Sequence, residues 1–159
     1  MTRLVEARLE ALGIVLPEGS EPSANYMNYS IVNGLIYISG KGPSGHPKGK
    51  LGSDYSTKEG YEFARQAGIE VLAVLKQALG SLDRVNRVIK VQGLINASSE
   101  FEEHHLVLNG FSDLMQEVFG EKGIHARSVM GAVSLRGNLP LVVDSIFEIN
   151  EVGLGTRIS

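Results

Sequence analysis

Arg127 opens an apolar, strand-like run, His125-Ala126-Arg127-Ser128-Val129-Met130-Gly131-Ala132-Val133, which passes through Leu139-Pro140 into a second such run, Leu141 to Ile149. A guanidinium stays charged at every working pH and presents a planar fork of donors that fits a carboxylate two bonds at a time. One Arg set among small and apolar residues is therefore a candidate anion clamp, and its plainer reading is a surface ion pair at a strand end. In the second run Asp144 and Glu148 alternate with Ile146. They share a strand face and could place carboxylates for acid-base work, a solvated strand edge being the plainer account. Tyr26, next to Asn25, offers a ring that could stack on a flat ligand or simply pack.

Other chemistries are excluded by residue type and spacing. The chain has no Cys, which rules out thiol nucleophiles, Cys zinc sites and disulfides. His104 and His105 are neighbours, about 100° apart on a helix, and do not pair on one metal as residues four apart would. His46 and His125 stand alone, so no metal site is expected, although His125 lies two residues from Arg127. Ser39, Ser128 and Ser134 lack the Gly-x-Ser-x-Gly elbow of a serine hydrolase. Gly49-Lys50 runs into Leu51-Gly52 rather than into Ser or Thr, so the glycine- and proline-rich stretch from Lys41 to Ser56 is no phosphate-binding loop. A net charge of −3 and a pI near 5.8 carry no footprint for nucleic acid. Met1 to Gly13 scatters charges among Leu and Ala, unlike a signal peptide, and no run nears the roughly 18 to 20 apolar residues that span a bilayer. These features predict a soluble cytoplasmic protein with no membrane partner.

The elements that would position these residues follow from periodicity. Leu4, Val5, Leu9 and Leu12 recur at helical spacing from Thr2 until Gly13 stops the pattern, and Pro17 to Pro22 forms a connector. Tyr29 to Val32 and Leu35 to Ser39 are β-rich runs joined by Asn33-Gly34, a pair suited to a type I′ hairpin turn. Ser56 or Thr57 with Glu59 caps a long helix whose apolar face, Phe63, Ala67, Val71, Val74, Leu75 and Leu79, runs to Gly80. Val85 to Ile95 is a β-branched strand, and Ser98-Ser99-Glu100 reads as the cap of a second helix extending through Leu106, Phe111, Leu114, Met115 and Val118 to Gly120. The order hairpin, helix, strand, helix, strand, strand predicts a single α+β domain over residues 1–159. Residues 1–13 are an N-terminal extension, and both long helices pack on one face of a mixed sheet. Both final runs are apolar on alternate sides, so the second sheet face should be buried too, most simply by self-association.

Taken together, these residues resemble the Rid family, the reactive intermediate deaminases also called the YjgF or endoribonuclease L-PSP family, over nearly the whole chain. The segments that carry the resemblance are Asn25-Tyr26, Leu35 to Gly40, Gly60-Tyr61-Glu62, Leu79 to Val85, Asn109-Gly110 with Asp113-Leu114, and above all Ala126-Arg127-Ser128. The N-terminal helix and the Asn109-Gly110 segment look like a longer branch of the family. The resemblance implies a chorismate-mutase-like fold assembled as a homotrimer, with helices outside, sheets inside and three ligand clefts between subunits. It implies hydrolysis of unstable enamines and imines, such as 2-aminoacrylate, to 2-oxo acids and ammonia, with no metal or organic cofactor. On that pattern Arg127 grips the carboxylate, Tyr26, Ser39 and Gly40 line the cleft, and Asn109 contributes. Backbone groups near Gly40 or Val129 hold the imine nitrogen.

The chain departs from the pattern at specific positions. The acid that orients water in the best-known deaminases falls at Val142, and another falls at Gly131. Asp144 shares a strand face with Val142 and matches a second family acid. It is the candidate replacement, although it stands about 6 to 7 Å further along the strand. Val129 stands where a Cys is frequent and Lys41 where a Gln is common. Two alternatives therefore stay open. One is a trimeric binding protein for small 2-oxo acids or related carboxylates, without turnover. The other is the endoribonuclease and translation inhibitor of the older family label, against which the acidic charge and the lack of a His-Glu or His-His arrangement count.

Overall fold

Asn33 and Gly34, at φ of 49° and 79°, turn the chain between β1 (Tyr29–Val32) and β2 (Leu35–Lys41), as Asn-Gly favours in hairpins. The computed structural model describes residues 4–18 and 27–150. The other elements are α1 (Leu4–Ala11), α2 (Thr57–Leu79), β3 (Val85–Asn96), α3 (His104–Phe119), β4 (Ala126–Ala132) and β5 (Leu141–Ile149). The five strands form one mixed sheet in the order β1-β2-β5-β3-β4. β3 and β4 are parallel, joined by the crossover through α3, and every other pairing is antiparallel. β4 pairs with β3 alone and forms one outer edge.

α2 starts in a capping box, in which the Ser56 side chain accepts from the Glu59 N–H and the Glu59 carboxylate accepts from the Ser56 N–H, and it ends at Gly80 with φ 82°. Its buried stripe of Ala64, Val71 and Leu75 meets Leu108, Phe111 and Met115 of α3 above the sheet residues Ile36, Val91, Ile95, Val143 and Phe147 in one core. Both long helices thus cover one face, as predicted. They approach so closely that a Cβ at Gly110 would lie 2.0 Å from the Tyr61 carbonyl oxygen. α1 is fastened at the edge of this layer by the Lys76–Glu6 ion pair at 3.1 Å and by the Val5 N–H on Asp83 at 3.0 Å. No helix among the described residues is long and apolar enough to cross a membrane.

Two boundaries differ from expectation. β2 runs on to Lys41, and α3 begins at His104 with Glu103 as its uncapped N-cap rather than at Ser98-Ser99-Glu100. Ser98 instead donates its N–H to the Leu51 carbonyl and accepts the Phe101 N–H, so this segment docks the glycine-rich stretch onto the end of β3. The second sheet face carries Leu94, Val142 and Ile146 together with Tyr37 and Met130, which are 42% and 45% exposed.

Candidate functional site

Ile38 aligns with Ser145 and Lys41 with Val143, so Ser39 and Gly40 together oppose the single residue Asp144. This is a β-bulge, a device that re-aims side chains at a strand's end. Glycine is required here, because a Cβ at Gly40 would stand 2.5 Å from Val142 Cγ1. The Ser39 hydroxyl donates to the Met27 carbonyl at 2.6 Å and its N–H to the Asn28 carbonyl at 2.9 Å, which pins the entry to β1. From the bulge a polar row crosses the open sheet face: Ser39, Asp144, Gln92 and Ser128, one from each of β2, β5, β3 and β4. A groove of about 740 Å³ lies over this row, lined by Tyr37, Ser39, Gly40, Lys90, Val142 and Asp144 among others. Shielding by the surrounding protein raises the Asp144 carboxyl above its ordinary value, while its own N–H and the charge of Lys90 pull it down.

Arg127 belongs to the opposite face. It aligns with Val91, which aligns in turn with the buried Ser145, and it reaches back to α3. Its Nη1 donates to Ser112 Oγ at 3.0 Å and its Nη2 to the His105 carbonyl at 3.1 Å. Ser112 Oγ is also 2.9 Å from His125 Nε2, and His125 Nδ1 is 2.5 Å from the Gly123 carbonyl. One assignment satisfies the chain: Nδ1–H donates to Gly123, Nε2 accepts the Ser112 proton, and the Ser112 oxygen accepts from Arg127. The neutral imidazole this needs is favoured by burial, which lowers the His125 pKa. The Gly123 bond opposes that shift and the Arg127 charge adds to it.

Asn109 stands on the same stripe of α3 as His105 and Ser112, four residues after one and three before the other. Val129, next on the Arg127 face of β4, packs against the core. At Gly131 the ring of His104 fills the side-chain space, with Nε2 2.8 Å from where a Cβ would be.

The predicted residues therefore divide into two groups. Ser39, Gly40 and Asp144 meet at the bulge on the open face, while Arg127, Asn109 and Val129 gather between β4 and α3 on the helix face. Tyr26 lies outside the described residues. Sequence reasoning missed Ser112, whose signal was a lone hydroxyl inside the apolar stripe of α3. It also missed Lys90 and Gln92, whose signal was their alternation with the apolar Val91 and with Gly93. No cluster of three or more His, Asp or Glu side chains suited to a metal occurs among the described residues.

Comparison with known proteins agrees with this architecture. Residues 6–147 match the sequence model of the family described as "YjgF/chorismate mutase-like, putative endoribonuclease". Protein TCP17 of Trypanosoma cruzi is 38% identical over 151 residues, which cover 92% of this chain and 94% of that protein. A crystal structure from Shewanella oneidensis MR-1 carrying the same endoribonuclease name is 36% identical with a TM-score of 0.88, covering 91% of this chain and 99% of that one. Atu1372 of Agrobacterium tumefaciens, a protein of unknown function, is 39% identical with a TM-score of 0.84, covering 92% and 94%.

Proposed function

The chain belongs to the YjgF/chorismate mutase-like family, and on that premise we propose that it hydrolyses the C=N bond of small 2-imino acids, and of enamines that tautomerise to them, in clefts between the subunits of a homotrimer. The observation that carries this reading is the way Arg127 is held. Among the described residues, Ser112 and the His105 carbonyl take two of the five N–H donors of the guanidinium and leave three for a ligand. A half-buried cation fixed in this way at an outer strand is a carboxylate clamp whose ordering is already complete before the ligand arrives.

Asp144 and Arg127 face opposite ways, so the site is completed when the β4 edge of one subunit meets the groove of the next. The apolar residues of the open face, Tyr37, Met130, Val142 and Ile146, supply a surface for that contact.

With the carboxylate on Arg127, Asp144 orients a water toward the imine carbon. The C–O bond forms as the C=N π pair moves onto nitrogen, and the proton lost by water returns to nitrogen through the carboxylate. The hydroxyl proton of the carbinolamine then passes through the same carboxylate to the amine, which leaves as ammonia as C=O forms; imine plus water gives 2-oxo acid plus ammonia with nothing oxidised or reduced. Such imines hydrolyse in water unaided, so orientation and one well-placed base are sufficient for useful acceleration.

A non-catalytic carboxylate binder is the second reading, favoured by Val142, an aliphatic side chain in the groove beside Asp144. The deciding experiment follows 2-aminoacrylate, generated in situ by a serine or threonine dehydratase, with wild-type protein, Arg127→Ala and Val142→Glu. Acceleration by the wild type that vanishes in Arg127→Ala is expected. If the wild type gives none while still binding 2-oxobutanoate, the binder replaces the deaminase, and a gain of turnover in Val142→Glu would identify the residue responsible. RNA cleavage without imine hydrolysis would replace both readings with the endoribonuclease that the relatives' names describe.

A further inference from the structure

The glycine-rich stretch ties down the turn between β4 and β5. Lys48 Nζ donates to the Gly137 carbonyl at 3.1 Å, the Gly49 N–H to the Asn138 carbonyl at 2.9 Å, and Lys50 Nζ to the Val133 carbonyl at 2.5 Å. Asn96, fully buried at the end of β3, accepts from Lys50 Nζ at 2.8 Å and donates to Asn138 Oδ1 and the Leu139 carbonyl, each at 3.0 Å. The turn itself uses residues suited to its backbone, since Gly137 and Asn138 both hold left-handed φ, 61° and 56°, which Gly and Asn adopt readily.

This firmly held turn presents Arg136 at the groove. Among the described residues the Arg136 side chain makes no hydrogen bond or ion pair, and it is exposed. Lys90 lines the same groove from β3, half-buried and without a hydrogen bond among the described residues. Two cations against the single carboxylate of Asp144 make the groove positive, in a chain of net charge −3.

We propose that Arg136 and Lys90 form a second anion subsite, and that the ligand is an acid with two anionic groups: a 2-imino or 2-oxo acid whose distal carboxylate rests on this pair while Arg127 takes the proximal one. Asn96 and the glycine-rich stretch position Arg136. The two-ended ligand rests on the carboxylate-binding role of Arg127 proposed above, whereas the subsite can be read without it.

The test is equilibrium titration of the intact protein with 2-oxoglutarate, 2-oxobutanoate and glutarate, for wild type, Arg136→Ala, Lys90→Ala and Arg127→Ala, each checked for an unchanged melting temperature. Wild type is expected to bind 2-oxoglutarate at least 10-fold more tightly than 2-oxobutanoate. Arg136→Ala and Lys90→Ala should each remove most of that preference and leave 2-oxobutanoate affinity within 2-fold. Equal affinity of the wild type for both oxo acids, or equal loss of both in Arg136→Ala, overturns the subsite. If neither oxo acid binds, the Arg127 reading fails separately. The subsite then stands only if glutarate binds to wild type and not to Arg136→Ala, and it is overturned otherwise.

Discussion

Arg127 and Asp144 sit one register step apart and face opposite sides of the sheet: Arg127 aligns with Val91, and Asp144 with Gln92, the next residue of β3. In strands, consecutive residues project to opposite faces, so no side-chain rotation within one chain brings the guanidinium and the carboxylate onto the same small molecule.

The shared cleft proposed above predicts subunit complementation. Arg127→Ala and Asp144→Asn proteins, each inactive alone, should regain activity when co-refolded in equal amounts. Random trimers in which each cleft takes Arg127 from one subunit and Asp144 from the next keep about a quarter of the clefts intact, so about a quarter of the wild-type rate is expected. A mixture as inactive as its components would overturn the shared cleft.

His125 makes stability depend on pH. Burial sets its folded pKa below the ordinary 6.5, so on acidification the unfolded chain takes up the proton first. The contribution is whole above the unfolded value and is lost as the pH falls through the folded one. Melting temperatures between about pH 8 and pH 5 should therefore fall more steeply for wild type than for His125→Gln. Parallel curves would show that the Ser112–His125 chain carries no such cost.

Asp144 is expected to set the acid limb of the rate profile. As the proposed base it must be ionised, so kcat/KM should rise with pH through a value above the ordinary 3.8 of an Asp. Lys90 holds that value down, and Lys90→Ala should move the limb to higher pH. An unmoved limb in Lys90→Ala, or full activity in Asp144→Asn, would remove Asp144 from the chemistry.

Gly40 and Val142 should be energetically coupled. Gly40→Ala drives a methyl into Val142 Cγ1 at 2.5 Å, an overpacking worth about 1 to 3 kcal/mol in urea denaturation. Val142→Ala in the same chain should restore much of it, and strict additivity of the two changes would mean that the bulge relaxes elsewhere.

What was legible in the sequence is what is local. The Asn33-Gly34 hairpin, the Ser56–Glu59 box and the Gly80 stop each depend on residues within one turn of one another, and the alternation in β5 correctly puts Asp144 and Glu148 on one face. The bulge was not legible, because two residues oppose one only after β2 has met a strand far along the chain. Nor was the division of the site: the parity of a residue within its own strand says nothing about parity in another strand until the register across β3 is known. The false helix cap at Ser98 has the same origin, since the Ser98 N–H goes to the Leu51 carbonyl, a partner far away in the sequence, and the Phe101 N–H to the Ser98 carbonyl.

The position of β5 in the sheet bears on how the chain is made. β2 and β3 are its two neighbours, and both leave the ribosome before it exists. Until Ile149 has emerged they flank an empty slot, with hydrogen-bonding edges that any other nascent chain could fill. The core therefore closes only once β5 has been made, and truncation within β5 removes the keystone of the sheet rather than trimming its margin.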